Sequence, residues 1–205
     1  KDLRGCTVLD IGCGIGYMSV GALCGGAKSV VATDVYDVEK TLRRNLRFNG
    51  VSQRKLKFIR SDLFGTIPAK SRFDVVIANL PQHALPATVS ARRLVGKYGG
   101  YDGTDLVCRC LSEGVNYLRP GGRFYVSVSE LTNYRRTMSI IRSLYVIKSS
   151  VRFKKAIYPE EMEPYIKDKE LLRHLKILSK EKLIASTSLK FPLRYMVRRY
   201  ELIKK

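Results

Sequence analysis

The sequence contains no apolar run that approaches the roughly 20 residues of a membrane-spanning helix, and no signal peptide is visible. Hydrophobic residues make up 45% of its 205 residues, an ordinary share for a folded protein. A chain of this length can bury a substantial core within one domain. We therefore expect a single domain over residues 1–205 that contacts no membrane.

The five cysteines lack the paired spacing of a zinc site, and no other metal-ligand cluster stands out. Cys108 and Cys110 are two residues apart in a predicted helix, so their side chains point in different directions. We therefore expect no metal site. Reduced, mostly packed thiols in a cytoplasmic protein are the expected state of these residues.

Acidic residues are scarce, because 18 of them stand against 38 basic residues and the formal net charge is +20. Such an imbalance bears on association and solubility rather than on the fold. It favours a polyanionic partner, with RNA as the first choice. The alternative is a generally basic proteome, or a charged face that simply meets water.

The chain is organised around residues 7–16, Thr-Val-Leu-Asp-Ile-Gly-Cys-Gly-Ile-Gly, which predict a buried strand followed by a tight turn. Glycine accepts a positive φ and lets a ligand approach the backbone. The spacing differs from the G-x-G-x-x-G of dinucleotide sites, and the preceding acid suits a cationic or zwitterionic ligand better than a pyrophosphate. The alternative is a strand–turn–helix unit without a ligand. The candidate binding residues of this stretch are Asp10, Gly12, Gly14 and Gly16.

A second short strand is predicted over residues 28–33, and Asp34 ends it. An acid at the tip of the second strand can accept hydrogen bonds from both ribose hydroxyls of a nucleoside. The alternative role is to cap the helix that is predicted to begin near Asp37. Because the glycine turn lies at the right distance, we favour the ribose.

Polar residues follow the third and fourth predicted strands, which cover residues 56–59 and 73–78. Ser-Asp-Leu-Phe follows the third strand at 61–64, and Asn-Leu-Pro-Gln follows the fourth at 79–82. His83 comes next and is a candidate proton acceptor, with a loop histidine in water as the alternative. Residues 95–105 are rich in Gly and Tyr and predict a loop over the site. A helix to Leu118 and a fifth strand over 123–128 come after that loop.

Five motifs in this order carry a family resemblance: the glycine turn, Ser-Asp-Leu-Phe, Asn-x-Pro, Tyr-Gly-Gly-x-Asp-Gly at 98–103 and Leu-x-Pro-Gly-Gly at 118–122. Residues 7–130 resemble the class I S-adenosylmethionine-dependent methyltransferases, and among these the release-factor glutamine methyltransferases and their small-domain relatives. The Pro-Gln pair at 81–82 is also similar to plant methionine S-methyltransferases. The resemblance implies an α/β fold, a Rossmann-like doubly wound seven-stranded sheet in three αβα layers. That sheet is mostly parallel, with one antiparallel strand near the C-terminus.

The resemblance also implies how S-adenosylmethionine would be held. The glycine turn would hold its methionine end and Asp34 its ribose. Asp62 would accept a hydrogen bond from the adenine amino group, and Leu63 would pack on the adenine ring. No metal takes part in this scheme.

For catalysis, the resemblance implies roles for Asn79, Leu80, Pro81 and Gln82. The Asn79 side-chain oxygen and the Leu80 carbonyl would accept hydrogen bonds from the substrate nitrogen, and Asn79 would also adjoin the cofactor. Gln82 departs from the family, which has an aromatic residue there that stacks on a planar substrate. Gln82 would instead hydrogen-bond the target, and a flipped-base geometry is less favoured.

The last two strands of such a fold are predicted over 145–157 and 193–203. Residues 158–190 between them predict a helical insertion that shapes substrate choice, with a packing helix as the alternative. The predicted reaction is methylation of an amino or amide group on RNA or, second, on a ribosome-associated protein. A small-molecule acceptor (including sulfur) and an inactive cofactor- or RNA-binding module are the alternatives, and the glycine spacing disfavours a dinucleotide oxidoreductase.

Overall fold

The computed structural model describes residues 2–89, 96–164, 166–185 and 189–205. Within these ranges the chain forms one seven-stranded sheet with the strand order β3-β2-β1-β4-β5-β7-β6. The strands are β1 Thr7–Ile11, β2 Ser29–Asp34, β3 Leu56–Arg60, β4 Phe73–Ala78, β5 Leu118–Ser129, β6 Tyr145–Ile157 and β7 Leu193–Lys204. The helices are α1 Tyr17–Cys24, α2 Glu39–Phe48, α3 Asp105–Gly114, α4 Tyr134–Leu144, α5 Pro159–Met162 and α6 Asp168–Lys180.

The first five strands of the chain are parallel, and β7 lies antiparallel between β5 and β6. This arrangement confirms the predicted fold class, a mostly parallel doubly wound sheet with an antiparallel strand near the C-terminus. The central strands are apolar runs because helices cover both of their faces. Within the described residues, no helix is long and apolar enough to cross a bilayer.

Two packed clusters cover the faces of the central strands. On one face, α3 and α4 pack against β4, β5 and β7 through residues such as Leu111, Ile141 and Phe124. On the other face, α1 and α2 pack against β1, β2 and β3 through Leu23, Leu42 and Leu46. The carboxyl ends of β1, β2, β3 and β4 therefore converge at one edge of a rigid sheet, where α/β folds bind ligands.

A third cluster joins the C-terminal part of the chain to the loops at this edge. The helix α6 contributes Leu171, Leu175 and Leu178, which pack with Ile157 and Leu193 from the ends of β6 and β7. The two helices α5 and α6 thus occupy the segment between the last two strands and lie beside the carboxyl ends of the parallel strands. The predicted loop over 95–105 falls partly outside the described residues, at position 95.

Most element boundaries agree with the sequence to within two residues, but β5 is longer than predicted. It begins at Leu118 rather than Arg123, because Leu118 pairs with Phe73 before an irregularity shifts the register. Gly121 in this irregular stretch has φ +73°, a conformation that favours glycine. The Pro-Gly-Gly sequence therefore bends a strand that continues instead of separating a helix from a strand.

Candidate active site

A cavity of about 870 Å³ opens at the carboxyl ends of β1 to β4, and we call it the central cavity. Ligand sites of proteins commonly span about 300–1,000 Å³. Most of the candidate residues from the sequence line it: Gly12, Gly14, Asp34, Asp62, Leu63, Asn79, Leu80, Pro81, Gln82 and His83. Asp10 and Gly16 do not line it.

The glycine turn combines two kinds of glycine. Gly14 has φ +51°, and a Cβ placed on it would meet no heavy atom within 4 Å, so its backbone faces open space. Gly16 has φ +89°, and a Cβ there would lie 2.0 Å from the Cδ1 atom of Leu42 in α2. The structure therefore assigns Gly14 to the cavity wall and Gly16 to close packing between the turn and α2.

Asp10 lies beneath the turn and is 2% exposed. Its Oδ2 atom accepts a hydrogen bond from the Ser19 hydroxyl at 2.6 Å. Burial raises the pKa of Asp10 to about 6, although the bond from Ser19 opposes this shift. Asp10, a candidate binding residue from the sequence, is thus buried and does not line the cavity. The carboxyl group instead ties the end of β1 to α1 below the turn.

Asp34 stands at the tip of β2 with both carboxylate oxygens directed at backbone amides. Its Oδ2 accepts the Gly14 N–H at 2.9 Å, and its Oδ1 accepts the Tyr36 N–H at 3.0 Å. The helix α2 begins only at Glu39, and its N-cap residue is Val38. Asp34 therefore does not cap α2 but braces the glycine turn at the cavity wall. Each oxygen keeps a further lone pair that can accept a hydrogen bond from a ligand.

Asp62 and Leu63 follow β3 at the next position along the edge. Asp62 is mostly exposed, and its Oδ2 lies 3.3 Å from the Arg109 Nη2 of α3. Leu63 is buried with φ +48°, an uncommon backbone conformation for a branched side chain. Such strain persists where the surrounding structure fixes the conformation, and it often accompanies ligand sites.

Asn79 directly follows β4 at the cavity and is exposed. Within the described part of the chain, its amide group makes no hydrogen bond. The Leu80 carbonyl accepts only a long contact of 3.5 Å from the Gln82 Nε2 atom. Both acceptors that the sequence assigns to a substrate nitrogen are thus available at the cavity.

Gln82 uses its side-chain amide within the protein. Its Nε2 donates to the Ser127 carbonyl at 2.7 Å, and its Oε1 accepts the Ser129 N–H at 2.9 Å. Ser127 and Ser129 belong to the buried end of β5. Both groups of the Gln82 amide thus have partners within the protein, although Oε1 keeps a further lone pair and Gln82 lines the cavity, so a hydrogen bond from Gln82 to the target stays a prediction. The side chain clamps the residues after β4 to β5.

His83 is held by backbone bonds on both sides of its own peptide. Its N–H donates to the Lys97 carbonyl at 3.1 Å, and its carbonyl accepts the Gly99 N–H at 3.0 Å. Burial, together with the charges of Lys97 and Lys155, lowers the pKa of the imidazole to about 4, against an opposing effect of Glu161. The ring is therefore neutral near pH 7 at the wall of the central cavity.

The far wall of the cavity comes from residues that the sequence does not single out. They share an origin in β6, β7 and α6, far along the chain from the glycine turn. They are Lys155, Ile157, Leu171, Leu175, Leu193, Tyr195 and Val197. No local motif marks them, because only the antiparallel pairing of β6 with β7 and the packing of α6 bring them to the site.

The central cavity fits S-adenosylmethionine on these observations. The open backbone at Gly14, the acceptors at Asp34 and Asp62 and the apolar Leu63 line one continuous wall. Neutral His83 and the acceptors at Asn79 and Leu80 lie farther along the same cavity. Among the residues that the structure describes, no group of three or more His, Cys, Asp or Glu side chains is placed to hold a metal.

Comparison with known proteins identifies the family. The sequence model of the ribosomal protein L11 methyltransferase family (PrmA) matches residues 1–101. A Methanocaldococcus jannaschii protein, provisionally named a protein N5-glutamine methyltransferase, is 32% identical over 162 residues, which cover 75% of this chain and 77% of the relative. This chain belongs to the S-adenosylmethionine-dependent methyltransferases. S-adenosylmethionine is accordingly its cofactor.

Two further similarities place this methyltransferase among its relatives. The release factor glutamine methyltransferase of Rhodopirellula baltica is 31% identical over 137 residues, covering 61% of this chain and 45% of that enzyme. The chain therefore spans less than half of that relative. The solved structure of the ribosomal protein L11 methylase of Lactobacillus delbrueckii shares the fold, with a TM-score of 0.60 at 14% identity over 99% of this chain and 72% of that one.

Proposed function

We propose that this methyltransferase methylates the nitrogen of an amide or amino group on a translation-associated macromolecule, either RNA or protein. The observation that carries the proposal is the pair of available acceptors, the Asn79 amide oxygen and the Leu80 carbonyl, beside a glycine turn in one cavity. Two acceptors fixed on the end of a strand can bind the two hydrogens of an –NH2 group. The nitrogen lone pair is then oriented in a single direction.

The roles of the cofactor-contacting residues are part of this proposal. Gly12 and Gly14 would border the methionine end, Asp34 would accept from the ribose hydroxyls, and Asp62 with Leu63 would bind the adenine. Asp10 and Gly16 would act from beneath the turn by holding its shape. S-adenosylmethionine supplies an activated methyl group, so the protein has mainly to orient the acceptor and exclude water.

The substrate side of the cavity has a far wall that is apolar at Ile157, Leu171 and Leu193, with Lys155 and Tyr195 as the polar groups. The helix α6 contributes Leu171 to this wall, and we propose that the helical segment 158–190 selects the substrate within the single domain formed by residues 1–205. Neutral His83 would form a hydrogen bond with the methyl-accepting group of the substrate.

The comparisons support translation as the setting. The relatives are named for methylation of protein glutamine, of a release factor and of ribosomal protein L11. The net charge of +20 supports an RNA-containing partner. The free cysteines at positions 6, 13, 24, 108 and 110 suit a reducing compartment, and we place the activity in the cytoplasm.

Transfer of a labelled methyl group tests the proposal. The protein is incubated with methyl-labelled S-adenosylmethionine and, separately, with total cellular RNA and total protein from cells of the same source. We expect label in one of the two fractions, bound to nitrogen. Asn79→Ala should abolish labelling while cofactor binding persists, and Asn116→Ala, an exposed position outside the cavity, serves as the matched control.

Three results would contradict the proposal. Label that reaches only a small molecule, or a sulfur atom, would refute the macromolecular nitrogen acceptor. Absence of any transfer, with cofactor still bound, would favour an inactive binding module. Equal activity of the Asn79→Ala variant and the wild type would refute the role of Asn79.

A further inference from the structure

One face of the β6–β7 hairpin carries a row of cations near the active-site edge. Arg152 lies directly opposite Arg198, Lys154 opposite Met196 and Ala156 opposite Arg194 in the antiparallel register. Directly opposite residues and every second residue along a strand share one face. Arg152, Lys154, Arg194 and Arg198 therefore lie together, and we call them the cationic face.

The cationic face is not balanced by acids on its own strands. The strand β6 contains no acidic residue, and β7 contains only Glu201. Glu201 alternates with Arg198 and so belongs to the opposite face of the hairpin. Among the described residues, the acid that forms an ion pair with this face is Glu130, after β5, whose Oε1 lies 2.9 Å from the Arg152 Nη2. It neutralises one of the four cations, and three remain.

Two features of this arrangement are unfavourable for folding alone. Like charges directly opposite each other on neighbouring strands repel, as Arg152 and Arg198 do. In addition, the Nε–H of Arg198 is buried and has no hydrogen-bond acceptor within the described residues. That buried group does not reach solvent, so contacts with an external ligand fall mainly to the exposed Lys154 and Arg194. Phosphate oxygens are suitable acceptors for such side chains, because an arginine fork binds them through two parallel N–H groups.

The cationic face is also close to the reacting groups. Arg198 pairs with Val128 of β5, and the neighbouring residues Ser127 and Ser129 accept and donate the two hydrogen bonds of Gln82. Neighbouring strands are separated by about 4.8 Å, so the β7 backbone lies about 10 Å from that of β4. The cavity-lining residues Lys155, Tyr195 and Val197 alternate with the four cations of this face along the same two strands and therefore face the other side of the hairpin. A polymer bound on the cationic face would reach the cavity around the end of the hairpin, where Arg194 adjoins the cavity-lining Leu193.

We infer that the cationic face of the β6–β7 hairpin binds the phosphate backbone of an RNA and brings the acceptor nitrogen to the central cavity. This inference rests on the proposed function and adds the partner that presents the substrate. Cations spaced about 7 Å apart along a strand match a polymer that is charged at every unit. They match less well a protein surface, where charges of both signs are mixed.

Salt-dependent RNA binding tests the inference. Fluorescence anisotropy is measured with a labelled single-stranded RNA of about 16 nucleotides, without cofactor, between about 50 and 200 mM salt. Each lost phosphate contact lowers the slope of log K against log salt by about 0.7 for single strands. The variant Lys154→Gln/Arg194→Gln/Arg198→Gln should therefore lower the slope by about 2 and weaken binding about 100-fold at about 0.1 M salt.

The matched control removes three exposed cations from the opposite end of the sheet, at Arg44, Arg47 and Lys57. This control has the same net charge as the Lys154/Arg194/Arg198 variant. Its RNA affinity and the slope of log K against log salt should stay close to those of the wild type. Equal losses in the two triple variants would overturn the inference, since binding would then be diffuse. Absence of RNA binding by the wild type would overturn the inference. If polyglutamate displaced the RNA as well as unlabelled RNA does, an acidic protein would be the better partner, and the inference would also be overturned.

A folding defect is checked by circular dichroism. If the triple variant does not fold, Arg194→Gln alone replaces it, because Arg194 is exposed. That single variant should lower the slope by about 0.7 and weaken binding about 5-fold at about 0.1 M salt. No change on this substitution would contradict the inference. Because binding is measured without methyl transfer, loss of transfer with intact RNA binding would refute the proposed function alone.

Discussion

Replacing Gln82 by Ala should damage both the fold and the placement of the acceptor groups. The side-chain amide makes bonds of 2.7 Å to the Ser127 carbonyl and 2.9 Å to the Ser129 N–H. A typical intramolecular hydrogen bond contributes about 0.5–1.5 kcal/mol, and a buried group left without its partner costs about 1–3 kcal/mol. Ser127 and Ser129 are only 5% and 7% exposed, so water can replace the lost bonds poorly. We expect a loss of about 2–3 kcal/mol of unfolding free energy.

Urea denaturation and thermal unfolding measure this loss, with Gln53→Ala as the matched control. Gln53 lies in a short 3₁₀ helix, and its side chain makes no hydrogen bond within the described residues. For a chain of this size, about 2–3 kcal/mol corresponds to a fall in Tm of about 5–10 °C. Gln53→Ala should change Tm by about 2 °C or less.

Steady-state kinetics separate a positioning role of Gln82 from a purely structural one. If the clamp positions Asn79 and Leu80, kcat of the folded Gln82→Ala variant should fall about 10-fold or more, since small displacements of reacting groups are costly. The affinity for S-adenosylmethionine should change less than kcat, because within the described residues Gln82 makes no hydrogen bond to the glycine turn, to Asp34 or to Asp62. Unchanged stability, or a fall in cofactor affinity without a fall in kcat, would refute this reasoning.

The remaining predictions concern the glycine turn. Burial raises the folded-state pKa of Asp10 to about 6, so the folded state binds the proton more tightly than the unfolded chain. The free energy of unfolding should therefore fall by up to about 3 kcal/mol as pH rises from about 4 to 6. Asp10→Asn should remove this dependence in urea denaturation at several pH values, and an unchanged pH profile would contradict the assignment. Gly16→Ala should destabilise the fold by more than about 2 kcal/mol, because its Cβ would overlap Leu42, whereas Gly14→Ala should cost about 1 kcal/mol through φ alone. Equal costs of the two substitutions, measured in the same urea denaturation experiments, would contradict the packing role of Gly16.

The residues that end parallel strands could be predicted from the sequence. Asp34, Asp62 and Asn79 each stand at or just after the end of a short predicted strand, and the carboxyl ends of parallel strands meet at one edge of the sheet. The positions of the predicted strand ends therefore suffice to predict that these three residues lie at one edge of the sheet. Asp10 was the exception, because the sequence places it beside the turn but does not show that its side chain points beneath it, towards Ser19.

The substrate side of the cavity could not be predicted in the same way. Tyr195 and Lys155 reach it only through the register of β6 against β7, which no local spacing specifies. The partners of Gln82 are backbone groups of β5, some 45 residues away. Predicting them would require knowledge of how the end of β5 lies against the residues after β4.

Isothermal titration with S-adenosylmethionine tests the central claim most directly. Two hydrogen bonds to the charged Asp34 carboxylate should each contribute about 1.5–3 kcal/mol, so we expect Asp34→Ala to weaken binding at least about 100-fold. Asp37→Ala, in the exposed segment between β2 and α2, is the matched control and should bind like the wild type. No measurable binding by the wild type, or equal affinities of the two variants, would contradict a cofactor site at the ends of the first three strands.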